Sequence, residues 1–409
     1  MKKILATILA LVLALGLCSV SWAADGEATV SSKEELEQAL NDSSVTTIKL
    51  GANITASITI AAGKDVTLNL NGHTLTNTDG QHTITNNGTL TITGTGTVDN
   101  VSHARAAIVN NGTATLNGGT YTRSKENPEN NAEDAGGNSF YTILSDNGAK
   151  MTINEGVTVT NVGNFSSMIR NGGTSASTLI INGGTFSGGL NAIKNDEAGV
   201  LTINGGDFSN TSQFVVMNWH KTTINGGSFK ALSSADAVLF TAKYAENKAV
   251  GELTIKNGTF ERAADTQKML EVTYKGENGN VLYTGTAAIY SGVFAGDVSA
   301  YATEGTAVAS LKGVYYVGAA NIESAVNSMN GGDTLTVVKG EVTINGTKYS
   351  KESNTTYTKP TSYYYYSPST TTPDTTKGSP KTFDAGVGIY AVTAVLSVTG
   401  MAWTAKKRH

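Results

Sequence analysis

The chain has 409 residues and 29 Lys+Arg against 33 Asp+Glu, so it carries no charge excess that would draw it to nucleic acid. Nucleic acid is therefore excluded as a partner. A hydrophobic fraction of 39%, with 46 glycines and only 5 prolines, suits a thin core extended in one direction better than one large globular core.

Lys2 and Lys3, the apolar run Ile4 to Cys18 and the small residues around Ala23 and Ala24 form a secretory leader, residues 1–23, with cleavage after Ala23. Cys18, the single cysteine, lies inside that run, so the mature chain has no disulfide. A lipoprotein reading through Cys18 is the alternative, and Leu17 stands where it needs a small residue. Next, Ser32-Lys33-Glu34-Glu35 is a capping box, and Leu36, Ala39 and Leu40 share one face of the short helix it starts. Such a helix would cap the open end of the strands that follow.

From Thr46 onward apolar residues alternate with period two, and one unit then recurs: Leu179 to Phe186 reads L-I-I-N-G-G-T-F. Taking its third residue as an anchor gives Leu70, Ile92, Leu116, Ile153, Ile181, Ile203, Ile224, Ile255 and Ile289. Successive anchors lie 22, 24, 37, 28, 22, 21, 31 and 34 residues apart. A floor near 21 with only upward excursions describes a coil of minimum length that accepts insertions, which is a solenoid. A second strand precedes each anchor, as in Ile84-Thr85-Asn86 and Ile193-Lys194-Asn195, across a short turn. Asn follows six of the anchors and is placed to bond its copy one coil away, in a left-handed turn. Five residues after the anchor, Tyr121, Phe186, Phe208, Phe229, Phe260 and Phe294 predict an aromatic stack.

These units resemble the pectate-lyase-like right-handed parallel β-helix superfamily over roughly residues 32–300, within a β-helix domain that with its N-terminal cap helix spans 24–300. The fold class is accordingly all-β, a right-handed parallel β-helix with short N- and C-terminal cap helices. A leucine-rich repeat shares the period but needs Leu at the strand positions and a helical return, where this chain has Ile, Val, Phe and Asn-Gly turns. Enzymes of the resembled family work with carboxylate clusters, paired for hydrolysis or holding Ca²⁺ for β-elimination. The resemblance thus allows Ca²⁺ as cofactor, whereas the residues themselves indicate none: Asp146 and Asp196 are not on neighbouring coils, and His73, His82 and His103 share no metal-ligand spacing.

Two ligand-binding candidates remain in the repeats. Arg170 and Lys194 hold the same outward position on consecutive coils, two cations about 4.8 Å apart that are either a binding pair or a solvated face. Trp219, followed by His220 and Lys221, is either an exposed indole beside a cation, suited to stacking on a sugar ring, or simply a packing residue of the turn. Insertions carrying Glu126, Glu129, Glu133 and Asp134, or the hairpin-like Gly276 to Asn280, interrupt the coils, and excursions of this kind tend to carry function.

A helix-then-strand pattern in residues 301–349 predicts a C-terminal cap, and Thr, Ser, Tyr and Pro in 350–378 an extended linker. In 379–409, Ser379-Pro380-Lys381-Thr382-Phe383 precedes an apolar run from Ala385 to Thr404 and the basic Lys406-Lys407-Arg408. This order resembles the sortase cell-wall sorting signal of Gram-positive surface proteins. The resemblance implies a sortase that cuts after Thr382, with Pro380 as the kink, and joins its carbonyl to peptidoglycan. Ser379 and Phe383 depart from the usual Leu and Gly, and a plain membrane anchor is the alternative.

Together these features predict a secreted, wall-anchored, non-catalytic adhesin with a glycan or host-surface ligand. A polysaccharide lyase or glycoside hydrolase using Arg170, Lys194 and loop carboxylates is the second expectation, and an inert spacer the third.

Overall fold

The computed structural model describes residues 21–23, 26–126 and 140–361, apart from 162, 164, 165, 174, 211, 233 and 234. The chain is an all-β parallel solenoid of about eight turns. Each full coil contributes one strand to each of three sheets, so the cross-section is a three-sided tube. One sheet runs from Glu27–Val30 to Thr286–Ile289 and holds the anchors; a second runs from Ile54–Thr55 to Gly292–Phe294 and holds the aromatic residues. The third, nine strands from Ile58–Ile60 to Lys268–Glu271, is the strand expected before each anchor. The aromatic residues thus have a strand of their own, which the two-strand coil expected from sequence did not include.

Register explains why the pattern repeats. Ile92, Leu116, Ile153, Ile181, Ile203, Ile224, Ile255 and Ile289 are mutual partners on adjacent strands, and all are buried. Each such side chain contributes about 1.5–3 kcal/mol by leaving water. The first anchor needs correction, because Leu68 rather than Leu70 pairs with Ile92. Two extra residues in the turn after Leu68 displace the unit, and the turn is made by Asn71 and Gly72 at φ 48° and 82°. In the later NGG turns the left-handed residue is the second glycine rather than the asparagine, with φ 104° at Gly184 and 113° at Gly206. A Cβ on Gly206 would fall 3.1 Å from the Gly184 carbonyl oxygen, so chain direction and close coil approach both require glycine there.

Two asparagine ladders run along the solenoid. The expected one is exposed, with Asn154 donating to Asn117 at 2.7 Å, Asn182 to Asn154 at 2.7 Å, Asn204 to Asn182 at 2.8 Å and Asn225 to Asn204 at 2.7 Å. The other is buried where the third sheet turns toward the anchors. There Asn171 donates to Asn195 at 2.8 Å, Asn195 to Asn218 at 2.9 Å and Asn218 to the Thr241 hydroxyl at 3.0 Å. Their amides also donate to turn carbonyls, as Asn195 does to Gly199 at 2.9 Å, so buried backbone acceptors are satisfied coil after coil.

Helix α1, Lys33–Asn41, starts where the capping box placed it: the Ser32 hydroxyl accepts from the Glu35 N–H at 3.2 Å, and Leu36 and Ala39 enter the solenoid core. At the far end Val314–Val317 pairs antiparallel with Gly292–Phe294, which ends the parallel run. Helix α2, Ala319–Ser328, packs Ile322 and Ala325 with Leu335 and Val337 into a separate small core. Strand Thr356–Thr358 belongs to this cap, so regular structure extends into the segment assigned from sequence to the linker. Backbone at Ser21–Ala23 pairs antiparallel with Glu27–Val30, inside the expected leader. Pro380, Thr382 and the apolar run after them lie outside the described residues, among which no helix is long and apolar enough to cross a membrane.

Candidate functional site

The outer face of the third sheet changes character along the axis. Its outward column reads Leu144, Arg170, Lys194, Met217, Phe240, Glu271 on successive strands. Met217 and Phe240 are nearly as buried as the inward residues beside them, and with Phe214, Trp219, Ala237 and Ala242 they form a cluster outside the tube. They are covered because insertions fold over this face: the loop after Ala242, and the hairpin of Thr273–Lys275 and Val281–Thr284.

Trp219 is the centre of that cluster. Its ring meets Phe240 edge-on at 4.8 Å, Tyr244 at 5.3 Å and Tyr274 at 5.2 Å. Trp219 is 5% exposed, so its indole packs within the cluster rather than standing as an open platform. Exposure belongs instead to Tyr244 at 44% and Tyr274 at 38%, whose rings stand against the indole. The Trp219 Nε1 donor has no hydrogen-bond partner among the described residues. A buried, unpaired N–H costs about 1–3 kcal/mol.

Cavities of about 390 and 320 Å³ open on this face and share Gln213, Met217, Trp219 and Tyr274, so they form one groove running along the solenoid. Lys194 and Tyr141 line one end, Lys268 and Glu271 the other. Asn191 ties the floor together, its amide donating to the Ser167 hydroxyl at 3.1 Å and to the Gln213 side-chain oxygen Oε1 at 3.3 Å.

Arg170 and Lys194 are register partners, as their spacing predicted, but Asp196 lies between them. Its Oδ2 is 2.7 Å from Arg170 Nε and 3.2 Å from Lys194 Nζ, and Asp146 is 3.8 Å from the guanidinium. Burial works against the charged Arg170, yet the hydrogen bond and charge of Asp196 outweigh it and raise its pKa. The guanidinium also lies 5.6 Å from the centre of the Tyr141 ring. Neither cation is therefore free to act as a proton acceptor. His220 does not line the groove; its Nδ1 sits 3.0 Å from the Gly199 carbonyl oxygen, over the turn of the previous coil.

Glu126, considered from sequence as a loop carboxylate, is fully buried in an ion pair with Arg123 at 2.7 Å, and Asn161 donates to the same oxygen. Burial pushes the Arg123 pKa down while Glu126 holds it up. This pair anchors the point where the insertion leaves the coil, which is a structural role. Glu129, Glu133 and Asp134 lie outside the described residues. No three His, Cys, Asp or Glu side chains among the described residues come together to hold a metal ion. The nearest approach to a Ca²⁺ donor set, Asp146 and Asp196, faces a guanidinium, so these residues do not fit the cation that the family resemblance allows.

Tyr141, Tyr244, Tyr274 and Phe240 were not singled out by the sequence reading. A signal for part of the site was nevertheless present. Phe214 to Met217 and Val238 to Phe240 are apolar at outward as well as inward positions, which marks a strand covered on both faces. No family model matches the chain, and no curated protein and no solved structure matches it.

Proposed function

We propose that the chain is a cell-wall-anchored surface protein that binds glycan, without cleaving it, in the groove over the third sheet. The observation that carries this reading is the arrangement at Trp219: two half-exposed tyrosine rings held edge-on against a buried indole, beside a cavity of about 390 Å³. Exposed aromatic rings fixed in orientation offer apolar faces to sugar C–H groups, and Gln213 offers polar contacts to hydroxyls. The parallel three-stranded coil with its buried asparagine ladder and stacked phenylalanines supports membership of the pectate-lyase-like superfamily. The neutralised Arg170 and Lys194 favour binding over elimination chemistry, which needs a basic group free to take a proton.

A glycan array probed with the full-length chain tests the groove. Binding that falls about tenfold or more in Tyr274→Ala, with the fold intact, is the expected result. Release of unsaturated sugar from a uronate polymer, abolished in Arg170→Ala, would replace the binding reading with a lyase. For the anchor, Thr382→Ala is expected to move the protein from the wall fraction to membrane or medium, and an unchanged distribution would leave the plain membrane anchor.

A further inference from the structure

Resting on the proposal that the groove binds glycan, we infer that its ligand is an uncharged, linear oligosaccharide lying parallel to the solenoid axis, about five sugar units long. The length follows from register. Groove residues come from six successive coils, those of Tyr141, Ser167, Asn191, Phe214, Ala237 and Lys268. At about 4.8 Å per strand the floor is roughly 24 Å long, and each coil step is close to the length of one pyranose ring in an extended chain. The walls follow the same direction. Gln213 on one side and Trp219 and Tyr274 on the other line both cavities, so a ligand in one continues into the next without turning.

The absence of ligand charge follows from how the groove's own charges are spent. Lys194, which lines one end, is held by Asp196 behind it, and with Arg170 and Asp146 these make two charges of each sign; at the other end Lys268 is bonded to Glu271. Asp236 and Lys275, which also line the groove, add one charge of each sign. An incoming carboxylate would have to displace Asp196 from two cations and would meet its negative charge at close range. A neutral sugar has no such competition, and its ring faces and hydroxyls match tyrosine rings and amide groups. Arg170 and Lys194 without Asp196 would suit an acidic polymer instead.

Calorimetric titration of the full-length chain with cello-, xylo- and manno-oligosaccharides of about two to about seven units, against oligogalacturonates of matching length, tests the inference. The expected result is binding to a neutral series that tightens about tenfold or more up to about five units and then levels. It should be unaltered between about 0.05 and about 0.5 M salt, because no ion pair forms. Asp196→Asn should confer oligogalacturonate binding by releasing the two cations. Selective, salt-weakened binding of oligogalacturonates by the unaltered chain would overturn the uncharged ligand while leaving the groove as a glycan site. Affinity that ceases to rise after two units would overturn the axial orientation. If neither series binds, the glycan reading of the groove fails with it.

Discussion

Two aromatic assemblies occupy the same coils and are built in opposite ways. Inside the tube, Phe186, Phe208, Phe229, Phe260 and Phe294 stack with centroids 4.6–4.9 Å apart and ring planes within 4–8° of parallel. Outside it, Trp219, Phe240, Tyr244 and Tyr274 meet edge-on at 65–87°. The inner stack is forced by translation: identical residues on register-paired strands repeat the backbone spacing and orientation. The outer cluster draws on a turn, a strand, a loop and a hairpin, so nothing repeats. Repetition makes a stable surface without local identity, and interruption supplies the local identity a ligand can recognise.

The largest effect should come from breaking the repeat at its centre. Phe208→Asp places a charge between two rings in a site with no polar partner, and it should cost more than the roughly 3–5 kcal/mol of merely emptying a phenylalanine site. Loss of the cooperative thermal transition, or a large fall in its midpoint, is expected by circular dichroism. A midpoint unchanged from the parent chain would refute the stacked core. Tyr274→Ala removes one edge contact from a ring already open to water, so its stability cost should be only about 0.5–1.5 kcal/mol. The comparison is sharpened if the first variant loses fold and binding together while the second loses binding alone.

The two asparagine ladders give a similar contrast among polar groups. Asn195→Ala deprives the Asn171 amide and the Asn218 carbonyl oxygen of partners in a water-free turn. Both retain other bonds, Asn171 to Val200 at 3.2 Å and Asn218 from Thr222 at 2.8 Å, so the expected loss is about 1–3 kcal/mol. Asn204→Ala breaks two bonds of comparable length in the exposed ladder, where water replaces them, and should cost less than about 0.5 kcal/mol. Chemical denaturation of both variants measures the difference. Equal losses would mean that ladder geometry, rather than burial, sets the energy.

How far the sequence foretold this molecule follows the same division. Anchors, aromatic stack, exposed ladder and cap helices were legible because each rests on spacing along one strand or one helix. Misassignment of Leu70 as an anchor came from matching letters where the turn had gained two residues, a change that only pairing with Ile92 reveals. The buried ladder was hidden because Asn86, Asn110 and Asn195 look like ordinary turn residues. Arg170 and Lys194 were correctly placed side by side, but their ion pairing with Asp196, which reaches them from the turn after Asn195, has no spacing to read. The groove was the least legible part. Its walls come from insertions whose positions over the sheet are set by tertiary contact and have no period to read.

A proton-linked effect is expected at another interruption, where the insertion ahead of Ile143 brings Phe140 to 5.9 Å from the His82 ring. Burial, with the nearby charges of Arg105 and Arg123, lowers the His82 pKa from 6.5 to about 4. The folded chain therefore keeps this imidazole neutral at pH values where the unfolded chain protonates it. Between about 6.5 and about 4 the unfolded state holds the extra proton, so His82's contribution falls as pH drops through that window and is constant outside it. His82 Nδ1 also accepts from the Ala106 N–H at 2.9 Å, a bond lost on protonation. His82→Asn preserves an acceptor of similar reach but cannot titrate. Thermal midpoints of parent and variant, measured across the window, should show the parent falling relative to the variant as pH drops, because carboxylates common to both cancel in the difference. A constant difference from pH 7 to about 4 would show that the insertion does not desolvate His82.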